Sequence, residues 1–311
     1  MIYTVTLNAA LDKTMQISGF TIGSLNRVES VRVEAGGKGI NVAKAIRSLG
    51  HTCVAMGFLA GSTGELIEHR LHSVGIECDF VHVNGETRTN SKIMDPDTRT
   101  VTEINESGEA IVKGQLELLE KNIMERVCPG DTVILSGSVP PGTDTGIYAK
   151  WIGMLRARGA ATMLDADGEL FLRGVEAVPT AVKPNLSELS RFCDKRLKED
   201  CDIRPEAKKL VKRGIETVLV SMGADGTLLF CEQGEWRADA LPIEVTSTVG
   251  AGDAMVAAWA VARERSLPPE DMLRLAVSAA GATVMIGTAG LFSKRTVDDL
   301  MPDVRIDPFT E

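Results

Sequence analysis

Ser247-Thr248-Val249-Gly250-Ala251-Gly252-Asp253, running into the apolar stretch 254–260, sets the reading of the whole chain. It predicts a small-residue loop opening a buried helix, with one carboxylate in the first turn. A helix start leaves backbone N–H groups without intrahelical partners, and the macrodipole adds positive potential there, so the place suits an anion. Gly250 and Gly252 have no Cβ, which lets the backbone come close to a ligand. Asp253 is suited to take a proton from a hydroxyl. An anion hole beside a base is the minimum equipment for moving a phosphoryl group onto an alcohol. The plain alternative is an Asp near the cap of a core helix.

The rest of the chain gives that helix its setting. Strand-like runs at 2–8, 52–59, 131–136, 160–165, 179–183 and 216–221 alternate with helical patterns near 39–49, 63–74, 114–127, 145–158, 204–213, 251–264 and 269–286. This order predicts an α/β fold with a mostly parallel central sheet covered by helices on both faces. Two charged regions break the alternation. Residues 25–34 read as a strand, and 88–104 as two short strands around Asp95-Pro96-Asp97. Together they predict a small β-sheet lid on one core domain spanning 1–311, with lid strands drawn from about 12–34 and 88–106.

Composition narrows the function. The 311 residues carry 34 basic and 43 acidic side chains, a net charge of −9, which argues against general nucleic-acid binding. An anionic ligand must then be held by a local reversal of charge. Six cysteines lie far apart without a C-x-x-C pair, which fits reduced thiols in a cytosol better than a disulfide or zinc-knuckle framework. All four histidines fall within 51–82, and His69 with His72 reads as ordinary surface helix. Strand-like Ile2–Leu7 begins without a signal-like segment, and no apolar run is long enough to span a membrane. A cytoplasmic location is expected.

Four other segments carry candidate chemistry. In Ala35-Gly36-Gly37-Lys38-Gly39-Ile40-Asn41, glycines open a second helix, and Lys38 sits where the dipole is already positive. That costs about 0.3–1 kcal/mol unless an anion is near. Asp12, following the first strand in Asn8-Ala9-Ala10-Leu11-Asp12, is placed to accept hydrogen bonds from sugar hydroxyls or simply to shape a turn. Arg88, Asn90 and Lys92 share one face of a strand by its period of two, and with Arg27 from the other lid segment they form a candidate phosphate clamp. Lys183-Pro184-Asn185-Leu186-Ser187-Glu188 puts Asn185 and Glu188 on one helix face. These are either oxygen ligands for water-mediated Mg²⁺ or a helix-start box. Ser221-Met222-Gly223-Ala224-Asp225-Gly226 is a glycine turn between strands, fit to pass under nucleotide phosphates or to be a plain hairpin.

Taken together, these segments resemble the ribokinase-like sugar kinases of the PfkB family over nearly the whole chain. The specific pair is Gly36-Gly37-Lys38-Gly39-Ile40-Asn41-Val42-Ala43 and Thr248-Val249-Gly250-Ala251-Gly252-Asp253, about two hundred residues apart. The resemblance implies a three-layer α/β/α sandwich and an ATP- and Mg²⁺-dependent kinase. It implies Asp253 as catalytic base, and Gly250, Ala251 and Gly252 as the anion hole. For ATP it implies Lys183, Asn185, Glu188, Ser221, Gly223, Gly226 and Thr248, with Asn185 and Glu188 acting on the metal through water. For the sugar phosphate it implies Asp12, Gly37, Asn41, Arg88 and Ser138. Within the family, Gly37-Lys38-Gly39 and Thr87-Arg88-Thr89-Asn90-Ser91-Lys92 are most similar to the 1-phosphofructokinases, which implies transfer to the 6-hydroxyl of fructose 1-phosphate. Tagatose-6-phosphate kinase and 6-phosphofructokinase are the alternatives, and a non-catalytic sugar-phosphate sensor a distant one. Gly250-Ala251-Gly252 also begins like a dinucleotide fingerprint, but Met255 stands where that motif needs its third glycine. Two departures touch the site: Ala9-Ala10 and Asp165-Ala166-Asp167 replace residues common in the family. An exposed lid sheet offers edges for a homodimer.

Overall fold

The computed structural model describes all residues except Thr288, Gly290, Thr310 and Glu311. Ten strands form the main sheet. From one edge they run β5 (Glu77–Val83), β4 (Val54–Ala60), β1 (Ile2–Thr6), β8 (Thr132–Ser136), β9 (Ala161–Asp165), β10 (Ala181–Val182), β11 (Thr217–Ser221), β12 (Thr227–Cys231), β13 (Gly234–Ala238) and β14 (Ile306–Pro308). Pairing is parallel from β5 through β11 and antiparallel beyond it. Alternation along the strands feeds two cores: Ile134, Met163 and Leu219 face one side, and Val133, Leu164 and Val218 the other.

The first core is closed by α1 (Lys38–Ser48), α2 (Gly61–Ser73), α8 (Ala251–Glu264), α9 (Pro269–Ile286) and α10 (Lys294–Leu300). The second is closed by α3 (Lys113–Arg126), α4 (Ile147–Ala157), α5 (Gly168–Glu176), α6 (Leu186–Phe192) and α7 (Asp200–Lys212). The expected three-layer α/β/α arrangement is therefore present. Helix α8 is apolar nearly all round and buried from Asp253 to Ala262, packed between α1 and α9. Its neighbour α9 starts on Pro269 with Glu270 and Asp271 in its first turn, and ends on left-handed Gly287. Among the described residues, no helix is long and apolar enough to cross a membrane.

A separate four-stranded sheet has the order β3 (Ser30–Gly36), β2 (Ala10–Gln16), β6 (Thr89–Asp95), β7 (Thr100–Asn105). Two sequence expectations are corrected here. Residues 25–29 are loop, with the strand starting at Ser30, and Asp12 lies within strand β2 of the small sheet rather than in a turn after β1. Strand β2 escapes the sequence pattern because its central residues are only half-buried, so no apolar alternation marks it. Helix α5 and strands β5 and β13 likewise carry no clear pattern in the sequence.

Candidate active site

The site lies where the carboxyl ends of β1, β8 and β9 meet the first turns of α1 and α8, the usual place for a ligand in such a sheet. Both helices open without a side-chain cap, α1 on Gly37 and α8 on left-handed Gly250 (φ 82°). Small residues are required here by space. A Cβ on Gly37 would lie 2.8 Å from Thr6 Cγ2, and one on Gly39 2.4 Å from Thr6 Oγ1. On Gly252 it would lie 2.9 Å from the Lys183 ammonium, which places that cation against the start of α8.

Asp253 is buried in the first turn of α8, and its Oδ2 accepts a hydrogen bond from Asn41 Nδ2 at 2.9 Å. Burial first, and then the negative charge of Asp165, push its pKa up to about 6. Lys38, Lys183 and the Asn41 bond pull the other way without prevailing. Asp165, at the end of β9, is buried between two ammonium groups. Its Oδ1 lies 3.3 Å from Lys38 Nζ and 3.6 Å from Lys183 Nζ. Burial works against its charge, but Lys183 and Lys38 outweigh that and hold its pKa below the usual carboxylate range. Lys38 is shifted the opposite way, upward, chiefly by Asp165. Two lysines and two aspartates thus form one compact charge cluster, in which Asp253 is the weakest-held anion.

A cleft of about 350 Å³ opens beside the cluster, and Thr6, Asn8, Lys38, Arg88, Ser138 and Glu188 are among its walls. Ser138 Oγ accepts from Asn8 Nδ2 at 3.3 Å. The Arg88 guanidinium donates to the carbonyls of Asn8 (3.0 Å), Ala9 (3.4 Å) and Glu106 (2.8 Å), tying β1's end to the small sheet. Asp12 and Asn90 stand opposite each other in register, with Asn90 Nδ2 donating to Asp12 Oδ1 at 3.0 Å. The Asp12 carboxylate lies over Gly36, where a Cβ would meet it at 2.3 Å.

The expected cationic face does not assemble as a unit. Lys92 pairs with Glu103 at 3.4 Å on the neighbouring strand, while Arg27 is exposed in the loop before β3 without an ion pair among the described residues. Arg88 precedes β6 and turns its fork toward backbone carbonyls. Lys38 and Arg88 are the cations that line the cleft.

At the start of α6, Asn185 and Glu188 form a reciprocal box, so that Glu188 also borders the cleft. Glu188 N donates to Asn185 Oδ1 (2.9 Å), and Asn185 N to Glu188 Oε2 (2.8 Å). Ser221 bridges Asn185 in parallel, and Ser221 N donates to the Pro184 carbonyl at 3.2 Å, so the two segments are one surface. The turn beyond it holds Gly223 and Gly226 at φ +64° and +94°, and joins β11 to β12 as expected. Thr248 is exposed, and its carbonyl accepts from Ala251 N at 3.3 Å.

Three residues of the site were missed or undervalued from sequence. Asp165 stands in the sequence only as a departure from the family pattern, although a lone Asp ending an apolar strand is itself a signal. Asn8 is fixed by Ser138 and by the Ser107 carbonyl (3.1 Å). Lys44, fully buried, donates to the Ala35 carbonyl at 2.7 Å and so ties α1 to the end of β3; burial pulls its pKa down.

Several of the buried polar side-chain atoms that lack a protein partner gather here: Thr6 Oγ1, Asn41 Oδ1, Asn90 Oδ1, Ser136 Oγ and Asp165 Oδ2. Buried polar atoms are normally satisfied, so such a concentration marks a place built for a polar ligand.

Comparison with known proteins agrees with this geometry. The family model for the pfkB family carbohydrate kinases matches residues 5–291. The 1-phosphofructokinase of Bacillus subtilis is 34% identical over 306 residues, covering 98% of this chain and 99% of that protein. The 1-phosphofructokinase of Rhodobacter capsulatus is 36% identical over 280 residues, covering 89% and 88%. Among solved structures, phosphofructokinase-2 from Escherichia coli in complex with fructose-6-phosphate superposes with a TM-score of 0.91 at 27% identity, covering 97% of this chain and 98% of that one. The paired glycine-opened helices, the buried aspartate and the near full-length match together place the chain in the pfkB family of carbohydrate kinases.

Proposed function

We propose that the protein is an ATP-dependent kinase that transfers the γ-phosphoryl group to the 6-hydroxyl of fructose 1-phosphate, giving fructose 1,6-bisphosphate and ADP. The observation that carries this reading is the Asp253 carboxyl. It is buried at an uncapped helix start beside two lysines, and its pKa of about 6 lets it be ionised yet basic near neutral pH. As the hydroxyl oxygen bonds to the γ-phosphorus and the bond to the β,γ-bridging oxygen breaks, Asp253 takes the hydroxyl proton. Asn41 holds the carboxylate in orientation. The first turn of α8, through Gly250, Ala251 and Gly252, supports the charge on the moving phosphoryl group, with Lys183 alongside.

Lys38 and Arg88 are assigned to the phosphate already on the sugar, and Asp12 with Asn90 to its hydroxyls; Gly37 and Ser138 shape that end of the cleft. The joined surface of Asn185, Ser221, Gly223 and Gly226, with Thr248 at the α8 loop, is assigned to the nucleotide. Mg²⁺ fits the oxygen donors present, because Asp165 Oδ2 has no protein partner and Glu188 commits only Oε2 to its box. Bound by these residues and through water by Asn185, it would neutralise charge on the nucleotide phosphates.

We read 1–311 as one kinase domain whose small sheet acts as a lid over the sugar. Ile22, Leu25, Val31, Val101 and Ile104 are exposed on and around that sheet, which favours its pairing between two copies as a homodimer. ATP turnover with fructose 1-phosphate, fructose 6-phosphate, tagatose 6-phosphate and unphosphorylated hexoses tests the activity. The highest kcat/KM is expected with fructose 1-phosphate. Preference for a 6-phosphate would move the assignment to a sister activity, and sugar-phosphate binding without turnover would make the protein a sensor.

A further inference from the structure

We propose a second site, for a divalent transition metal of the Zn²⁺ class, on α2 and edge strand β5, built from Glu68, His72 and Cys78 and backed by His82. One ligand atom from each of Glu68, His72 and Cys78 lies within 4.8 Å of the other two. Two periodicities bring them together. Glu68 and His72 are one helical turn apart on α2, and Cys78 and His82 share one face of β5. The histidine pair His69 and His72 alone gives no metal pattern, because the thiol donor sits on the next strand.

His82 Nε2 lies 3.0 Å from Glu68 Oε2, which fixes the carboxylate in the manner of an outer-shell partner. Glu68 and Cys78 are half-buried, whereas His72 is exposed. None of the four lines the cleft described above. A sulfur, an imidazole and a carboxylate together select a borderline cation such as Zn²⁺ over Mg²⁺ or Ca²⁺. Three protein ligands leave the fourth tetrahedral position to water. Binding replaces the Cys78 S–H proton by a metal–sulfur bond and releases that proton to solvent. The consequence is a clamp between α2 and the edge of the main sheet.

Cobalt(II) titration of the tag-free protein tests the site, because thiolate ligation gives a charge-transfer absorption band. Wild type is expected to bind one Co²⁺ with this band, to lose the band when Zn²⁺ is added, and to unfold at higher temperature with Zn²⁺. His72→Ala and Cys78→Ser should abolish the band. His82→Ala should keep it while weakening affinity about 10–100-fold. Absence of the band in wild type, or its persistence in Cys78→Ser, would overturn the proposal. Should Cys78→Ser fail to fold, the exposed-site variant His72→Ala decides: Co²⁺ affinity equal to wild type would also overturn it.

Discussion

Replacing Asp253 by Asn should make the folded protein more stable while disabling it. Burial and the charge of Asp165 raise the Asp253 carboxyl from 3.8 to about 6. In the unfolded chain this group loses its proton near 3.8; in the native state it does so only near 6. Between those values the native state binds more protons, so the group's contribution to stability falls as pH rises through the window, and the deficit is complete above about 6. At about 1.4 kcal/mol per pH unit, the interval corresponds to roughly 3 kcal/mol. Asparagine carries no charge to desolvate, and its side-chain oxygen still accepts from Asn41 Nδ2. Asp253→Asn is therefore expected to be more stable than wild type by up to about 3 kcal/mol at pH 8, and by about half that at pH 5. Urea unfolding followed by tryptophan fluorescence, to which Trp259 on the same helix contributes, measures both values. A variant less stable than wild type at pH 8, or a gap independent of pH, would refute the reasoning.

Other perturbations separate the parts of the site. Asp165→Asn removes the like charge that opposes ionisation of Asp253 and frees both lysines to favour it, so the acid limb of the kcat/KM profile should move below the wild-type position near pH 6; an unmoved limb would count against the coupling. The same change removes the Asp165 end of the buried Lys183 pair, a loss of at most about 3–5 kcal/mol that the ionised Asp253 carboxylate partly offsets, to be read as a lowered Tm. Lys38→Ala should raise KM for the sugar phosphate and leave ATP affinity unchanged, as isothermal titration with each ligand would show. Gly252→Ala places a methyl 2.9 Å from Lys183 Nζ, the far end of a flexible chain. The fold should survive, with kcat lowered as the anion hole fills; undiminished kcat would exclude these amides from catalysis.

The helices that start the site were legible because their signals are local. Glycines, a lone charged residue and an apolar run within about a dozen positions specify both α1 and α8, and the observed bounds of α8 and α9 match the periodic segments. The parallel strands between them, edge strand β5 excepted, were legible for the same reason, being short apolar runs buried on both faces. What failed was long-range pairing. Whether Arg88 is a free clamp or a strut depends on carbonyls 18 to 80 positions away. Lys92 is paired by Glu103 only once β6 and β7 are in register. Asp165 gains its place between Lys38 and Lys183 from the order of strands, which no local pattern encodes. Strand β2 and the loop carrying Arg27 lie in a solvent-facing sheet, where polar residues on both faces erase the alternation that identifies strands elsewhere.

The central claim, that one buried carboxylate accepts the proton as the phosphoryl group moves, is met most directly by the kinetics of Asp253→Asn with ATP and fructose 1-phosphate. Loss of a general base lowers kcat by about 10²–10⁴, and KM for both substrates should change little. A kcat close to wild type in this variant would contradict the account.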